Sequence, residues 1–358
     1  MKRRSLLIFL PFGALASESI GFAATKTIVT DTRSALRPPA VAAPYISASQ
    51  MVQGLLVQHL LPSASALQQT AQALAQSLAQ PQAAWVQHRP LWVATMLAWE
   101  TLAAVAVGPL LERRSARAID FWPTRPAQIQ RLLDSAHITS VQQLDTVGAT
   151  ARGLPALEWL LWKSDGSGHA RPYASLLAQQ VLAESHALLA GYQALASTER
   201  EESDAWALYG EWFGQAVGGL DQLRIKKMQP DTRGKDSAPW VRGVSGSTAA
   251  AWLAQAQGLQ AFWVGSPSAQ AATQAQSPGW PVAGSVNSLL LGRGHLAHSH
   301  TLMQRTNAML RAVQAARPGQ ATGVRAAQTA LAQMSTLASA LAGDVLHIAL
   351  GFTDADGD

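Results

Sequence analysis

ARGLPALEWLLW, residues 151–162, sets the terms on which the chain is read. From Leu154 onward every residue except Glu158 is apolar or Pro. Pro in the first turn of a helix sacrifices no hydrogen bond, and Gly just before it permits an unusual backbone entry. A helix is therefore predicted from about Pro155 to Lys163. A carboxylate inside such a run is costly to bury without a partner. Glu158 falls in or just beyond the first turn, where free backbone N–H groups and the helix dipole favour negative charge. Two answers follow: Glu158 completes the helix start, with Arg152 as partner, or it faces something the protein binds.

The helical reading extends outward from this stretch. Residues 49–80 carry Leu, Ala and Val at spacings of three and four, and the segment after Pro81 carries Trp85, Trp92 and Trp99 at heptad spacing. Those three rings share one helix face and read as core rather than as a ligand-stacking stripe. Further helices are predicted at 125–134, 140–150, 171–197, 202–226, 247–264, 285–315 and 320–342. Sustained alternation of β-branched residues is missing, so the expected fold class is all-α. Breaks are expected at KSDGSGH (163–169), 229–247, 265–284 and Pro318-Gly319. The first divides the helices into two comparable sets, giving a first bundle over 49–166 and a second over 167–358. Two antiparallel bundles with a cleft between them are the expected architecture.

Composition supports compactness: 48% of the residues are apolar and only 14% charged. Lys2, Arg3 and Arg4 precede the apolar run LLIFLPFGALA, and Gly21-Phe22-Ala23 offers small residues for cleavage, so residues 1–23 read as an export signal and 24–48 as an N-terminal extension. Cys is absent, which removes disulfides, thiolate chemistry and a lipid-anchor cysteine together. A periplasmic location is expected. Without the leader, 24 basic residues face 21 acidic ones, too even a balance to suggest a nucleic-acid partner. Beyond residue 30 no run approaches the ~20 apolar residues of a membrane helix, so an integral membrane protein is not expected.

RGVSGS (242–247) is a Gly-rich turn before a helix. Its N–H groups, the Arg242 guanidinium and the Ser245 and Ser247 hydroxyls could hold an anion or carboxylate, while Ser247 alone could be an N-cap. GHLAHSH places His295 and His298 on one helical face, with His300 two further on, which makes a surface cation site or a solvated face. The C-terminal DADGD alternates Asp354, Asp356 and Asp358 like the start of a calcium loop but lacks its closing Glu.

GLPALEWLLW, preceded by DFWPTRPAQIQRLL (120–133) and followed by LGFTDADGD (350–358), resembles the imelysin family of exported bacterial proteins. AAWVQHRPLW (83–92), GGLDQLRIKKM (218–228) and RGVSGS agree with it in order and spacing. The resemblance implies two helical bundles with a cleft, an envelope location and a link to iron uptake or homeostasis. Some members are called peptidases. The family signature, Gly-x-His-x-x-Glu, aligns with Gly153 to Glu158, and here Pro155 stands in place of the His. Pro has no side-chain donor or ligand atom, and one carboxylate does not make a zinc site. The expectation is a non-catalytic binding protein whose cleft presents Arg152, Gly153, Pro155, Glu158, Arg242, Ser245 and Ser247. The ligand is an unknown small molecule or a metal such as iron, for which no complete ligand set is apparent. An imelysin-type peptidase and a partner of an outer-membrane protein are the alternatives.

Overall fold

The computed structural model describes residues 45–135, 138–231, 239–277 and 281–350. The export signal, most of the N-terminal extension and the DADGD tail lie outside the described residues. Among the described residues no strand occurs, and the chain is all-α as its periodicity predicts.

Helix α1 (Ala48–Leu55) starts at Ser47 in a capping box with Gln50 and runs through a π-helical turn, Leu56–Leu60, into α2 (Leu61–Leu78). Helix α3 spans His88–Leu102, followed by the short α4 (Pro109–Glu112) and α5 (Ser115–Ile119), then α6 (Pro126–Ser135). The helix expected at 140–150 is instead two 3-10 turns, Gln142–Thr146 and Ala149–Ala151. Helix α7 occupies Gly153–Lys163, and α8 occupies Ala170–Ser197. The second half holds α9 (Glu202–Asp221) with a π-turn at Gln222–Lys227, α10 (Thr248–Val264) and α11 (Pro267–Gln276). It closes with α12 (Val286–Gly292), α13 (Leu296–Ala315) and α14 (Ala321–Ala340), the last ending in a π-turn at Leu341–Leu346. The single helix expected over 285–315 is broken between α12 and α13, where Gly294 takes φ +80°. Helix α11 lies inside an expected break, where Ser266 caps Pro267 as a first-turn residue.

Helices α2, α3, α7 and α8 pack on one another, and α9, α10, α13 and α14 form a second group joined by α1 and α12. The boundary expected at 163–169 is therefore displaced. That turn only reverses the chain so that α8 lies back on α2 and α7. The buried Tyr173, Leu177, Val181, Leu188 and Tyr192 of α8 recur at spacings of four and seven toward the first group. Tyr173 Oη donates to the Ala151 carbonyl at 2.7 Å and Tyr192 Oη to Val107 at 2.9 Å. The change of partners falls after α8, at 198–201.

The two groups belong to one compact unit and meet where α3 lies on α10. Gly258 of α10 and Gly219 of α9 make that seam close. A Cβ on Gly258 would stand 2.2 Å from the Thr101 carbonyl oxygen, and one on Gly219 would stand 2.2 Å from that of Ala104. Backbone thus meets backbone at the end of α3, and Glu100 is carried into the interior of the seam.

The tryptophan stripe is core, but it also fastens loops. Trp92 and Trp99 are buried, and their indole N–H groups donate to the Leu154 carbonyl (3.0 Å) and to Asp120 Oδ2 (2.8 Å). Trp85, half-buried in a 3-10 turn ahead of α3, donates to the Ser164 carbonyl at 3.1 Å. One face of α3 thereby fixes both ends of α7 and the segment leading to α6.

Candidate functional site

Helix α7 begins at a tight point. Gly153 has φ +72°, and a Cβ there would lie 2.4 Å from the Ile119 carbonyl oxygen, so the signature Gly is required on both counts. The helix that follows buries Leu154 to Glu158 as a block. Glu158, 4% exposed, accepts a hydrogen bond at Oε1 from the backbone N–H of Ser245 at 2.9 Å. Arg152 is not its partner: it donates to the Leu144 carbonyl (3.2 Å) and lies 3.6 Å from Asp145, holding the 3-10 turns instead.

The nearby positive charge is Arg242, which the RGVSGS turn delivers to the seam and which acts on Glu158 through space while pairing with Glu100 and Asp120. Arg242 has φ +62°, an uncommon left-handed conformation for a residue with a side chain, and it is fully buried. Its Nη2 lies 2.6 Å from Asp120 Oδ1 and 3.1 Å from Glu100 Oε1, and its Nε also reaches Glu100 at 3.3 Å. The guanidinium carbon lies 5.9 Å from the centre of the Trp92 ring, while Nη1 has no hydrogen-bond partner. Lys227, at the end of the π-turn after α9, pairs with the other Glu100 oxygen. The cluster thus draws Glu100, Asp120 and Glu158 from the first group and Lys227 and Arg242 from the second. Three carboxylates meet two cations, which leaves one negative charge in surplus.

Burial alone would lower the Arg242 pKa, but Asp120, then Glu100 and Glu158, outweigh it and hold it above the ordinary Arg value. For Glu158 burial dominates and raises the carboxyl above its usual range; Arg242 and Ser245 offset this only in part, and Asp120 adds to the rise.

In front of the cluster lies a cleft of about 180 Å3 bounded by Trp122, Pro126, Pro155, Glu158, Trp159, Lys163, Trp240 and the Gly243-Val244 backbone, with Thr124 completing the wall. Glu158 and Pro155 are together on it, and the Pro155 side chain offers no ligand atom there. Ser247 does not reach the cleft. Its N–H donates to the Arg242 carbonyl (3.0 Å), and its side chain makes no cap bond to α10. Ser245 contributes its backbone N–H to Glu158, and its hydroxyl donates to the Arg242 carbonyl (3.1 Å), bracing the turn.

The histidine pair behaves differently. His295 and His298 pack edge to face at 5.8 Å between centroids on the outside of α13, and among the described residues no group of three His, Asp or Glu is placed to hold a metal. Sequence reasoning missed Glu100, Asp120, Lys227, Trp122, Trp159 and Trp240. A signal was available, because Asp120 and Trp122 head DFWPTRP, Lys227 ends GGLDQLRIKK, and Trp159 follows Glu158 in the opening stretch.

Among solved structures, an imelysin-like protein from Psychrobacter arcticum superposes with a TM-score of 0.68 at 15% identity, covering 87% of this chain and 100% of that one. An iron-regulated protein A precursor from Parabacteroides distasonis gives 0.69 at 12% identity, covering 85% and 97%. At these identities the likeness is one of fold. No curated protein matches the chain. No helix among the described residues is long and apolar enough to cross a membrane. The family model described as Imelysin (Peptidase_M75) matches residues 56–344, and the chain belongs to that family.

Proposed function

We propose that this protein is an exported, non-catalytic ligand-binding member of the imelysin family, working at the cell envelope in iron homeostasis. The observation that carries the reading is Glu158: a buried carboxylate on the wall of an inter-bundle cleft, held by the backbone N–H of Ser245. A carboxylate kept in this state is suited to a ligand that neutralises it. Export is supported by the basic and apolar leader at residues 2–17. The iron link is supported by the Parabacteroides neighbour, which is named an iron-regulated protein A precursor.

Binding is favoured over hydrolysis because the other ionisable groups behind the cleft are committed to one another. Glu100 and Asp120 are occupied by Arg242, Lys227 and Trp99, and Pro155 supplies neither base nor ligand. The test is complementation of a deletion strain under iron restriction. The wild-type gene should restore growth and Glu158→Gln should not; equal rescue by both would remove the cleft from the proposed role. Chelator-sensitive cleavage of peptide substrates by the purified chain would overturn the non-catalytic reading.

A further inference from the structure

We propose that the cleft binds a small organic ammonium ion, its head group seated among the indole rings of Trp122, Trp159 and Trp240 and against the carboxylate of Glu158. This rests on the reading of the cleft as a ligand site and names the chemistry of what it takes.

Three observations converge on it. Glu100 and Asp120 are paired with Arg242 behind the cleft, and Glu158 is the carboxylate of the cluster that reaches it. The cleft lining around Glu158 includes three Trp and two Pro beside Lys163 and Thr124, and among the described residues it offers no second carboxylate, imidazole or thiolate with which to complete a metal shell. Elsewhere four indole faces lie under the protein's own guanidinium groups: Arg89 lies over Trp162, Arg171 over Trp85, Arg242 over Trp92 and Arg293 over Trp206, at 4.4 to 5.9 Å. Among the described residues neither Trp122 nor Trp159 carries a cation or another ring, and Trp240 meets only the edge of Trp252, at 5.4 Å. A cationic group over a tryptophan face gains about 0.5–2 kcal/mol, most when desolvated, and alkylammonium heads suit such rings because their charge is spread over apolar methyl groups.

Size sets a further limit. A cavity of about 180 Å3 is near the ~150 Å3 apolar cavity known to take up benzene, which points to a ligand of about five to ten non-hydrogen atoms. Lys163 lines the cleft from the exposed last turn of α7. It disfavours a bare cation and favours one that also carries a carboxylate.

Calorimetry and tryptophan fluorescence on the full mature chain, with tetramethylammonium, choline and glycine betaine as probes, test the proposal. At least one should bind, at least tenfold tighter than 3,3-dimethylbutan-1-ol, the neutral carbon isostere of choline. Glu158→Gln and Trp159→Leu should each weaken binding at least tenfold while retaining the helical circular dichroism; Trp159→Phe should retain part of it. Lys163→Ala should tighten choline and weaken glycine betaine. Equal binding of the neutral isostere, or ammonium binding unaffected by both Glu158→Gln and Trp159→Leu, would overturn it. Ferrous, ferric or zinc binding that disappears in Glu158→Gln, with no ammonium binding, would overturn this inference while leaving the cleft as a ligand site. Failure of every probe and every ion, together with equal rescue by Glu158→Gln, would remove both.

Discussion

The Arg242 cluster and the His295–His298 pair both bring ionisable groups together, and they differ in kind. The histidines are neighbours in sequence and remain on the surface, touching mainly each other. The cluster draws Glu100, Asp120, Glu158, Lys227 and Arg242 from segments up to 142 residues apart and buries them where the helix groups meet. In the cluster each charge is costly to remove because its partners have nowhere else to turn, whereas water can replace either histidine.

The largest effect should come from Arg242→Met, which leaves Glu100 and Asp120 facing one another without their shared cation. A loss of about 3–5 kcal/mol in urea unfolding is expected; a loss under 1 kcal/mol would mean that the cluster is no more interdependent than a surface pair. His59 sharpens the contrast between buried and exposed imidazoles. Burial pushes its pKa down from 6.5 to about 4, so the folded state binds fewer protons than the unfolded state between those values. Stability from this group is full above pH 6.5 and is lost as the pH falls toward 4, by about 3 kcal/mol in all. His59→Leu should flatten that part of the stability profile.

Next in size, Gly258→Ala would press a methyl group into the Thr101 carbonyl and force α3 and α10 apart, at about 1–3 kcal/mol. If the cluster depends on the seam, this change should also loosen the probes' grip on the cleft. Glu158→Gln keeps an oxygen for the Ser245 N–H, so at neutral pH its effect should be about 1 kcal/mol. Its pH dependence is the sharper readout. A carboxyl raised by folding makes the folded state bind more protons, so the wild type should lose stability as the pH rises through the window above the ordinary Glu range, and the variant should not. Smallest of all, the double change His295→Ala, His298→Ala should shift stability by no more than about 0.5 kcal/mol.

Much of this fold was legible because its signals are local. Pro155 after Gly153, the spacing of Trp92 and Trp99, and the missing strand alternation each act within a few residues, and each helix they predict exists. The errors also have local causes. Gly294 interrupts a pattern that otherwise continues from α12 to α13, and the turn at 163–169, although rich in breakers, joins two helices of the same group. The site was half legible. Glu158 stood out as the one charge in an apolar run, and RGVSGS as a turn before a helix. Glu100 sits in an ordinary helical pattern, and nothing near it in sequence announces that Gly258 and Gly219 will bring a backbone seam against its turn. Arg152 misled for the same reason, since proximity in sequence suggested a partner that the backbone turns away.

The π-turn at Gln222–Lys227 carries a consequence for how this chain tolerates changes in length. It holds one more residue per turn than an α-helix, and Met228 closes it by donating to the Leu223 carbonyl at 2.9 Å. Each residue along an α-helix advances by about 100°. Deleting any one residue between 222 and 227 would thus give a more regular helix while swinging Lys227 about a quarter of a turn away from Glu100. The Lys227 carbonyl, which accepts the Trp252 indole N–H at 3.0 Å, would move with it. Regularity and aim are opposed at this point: the helix keeps an irregular turn because that extra residue sets the direction in which its last lysine faces.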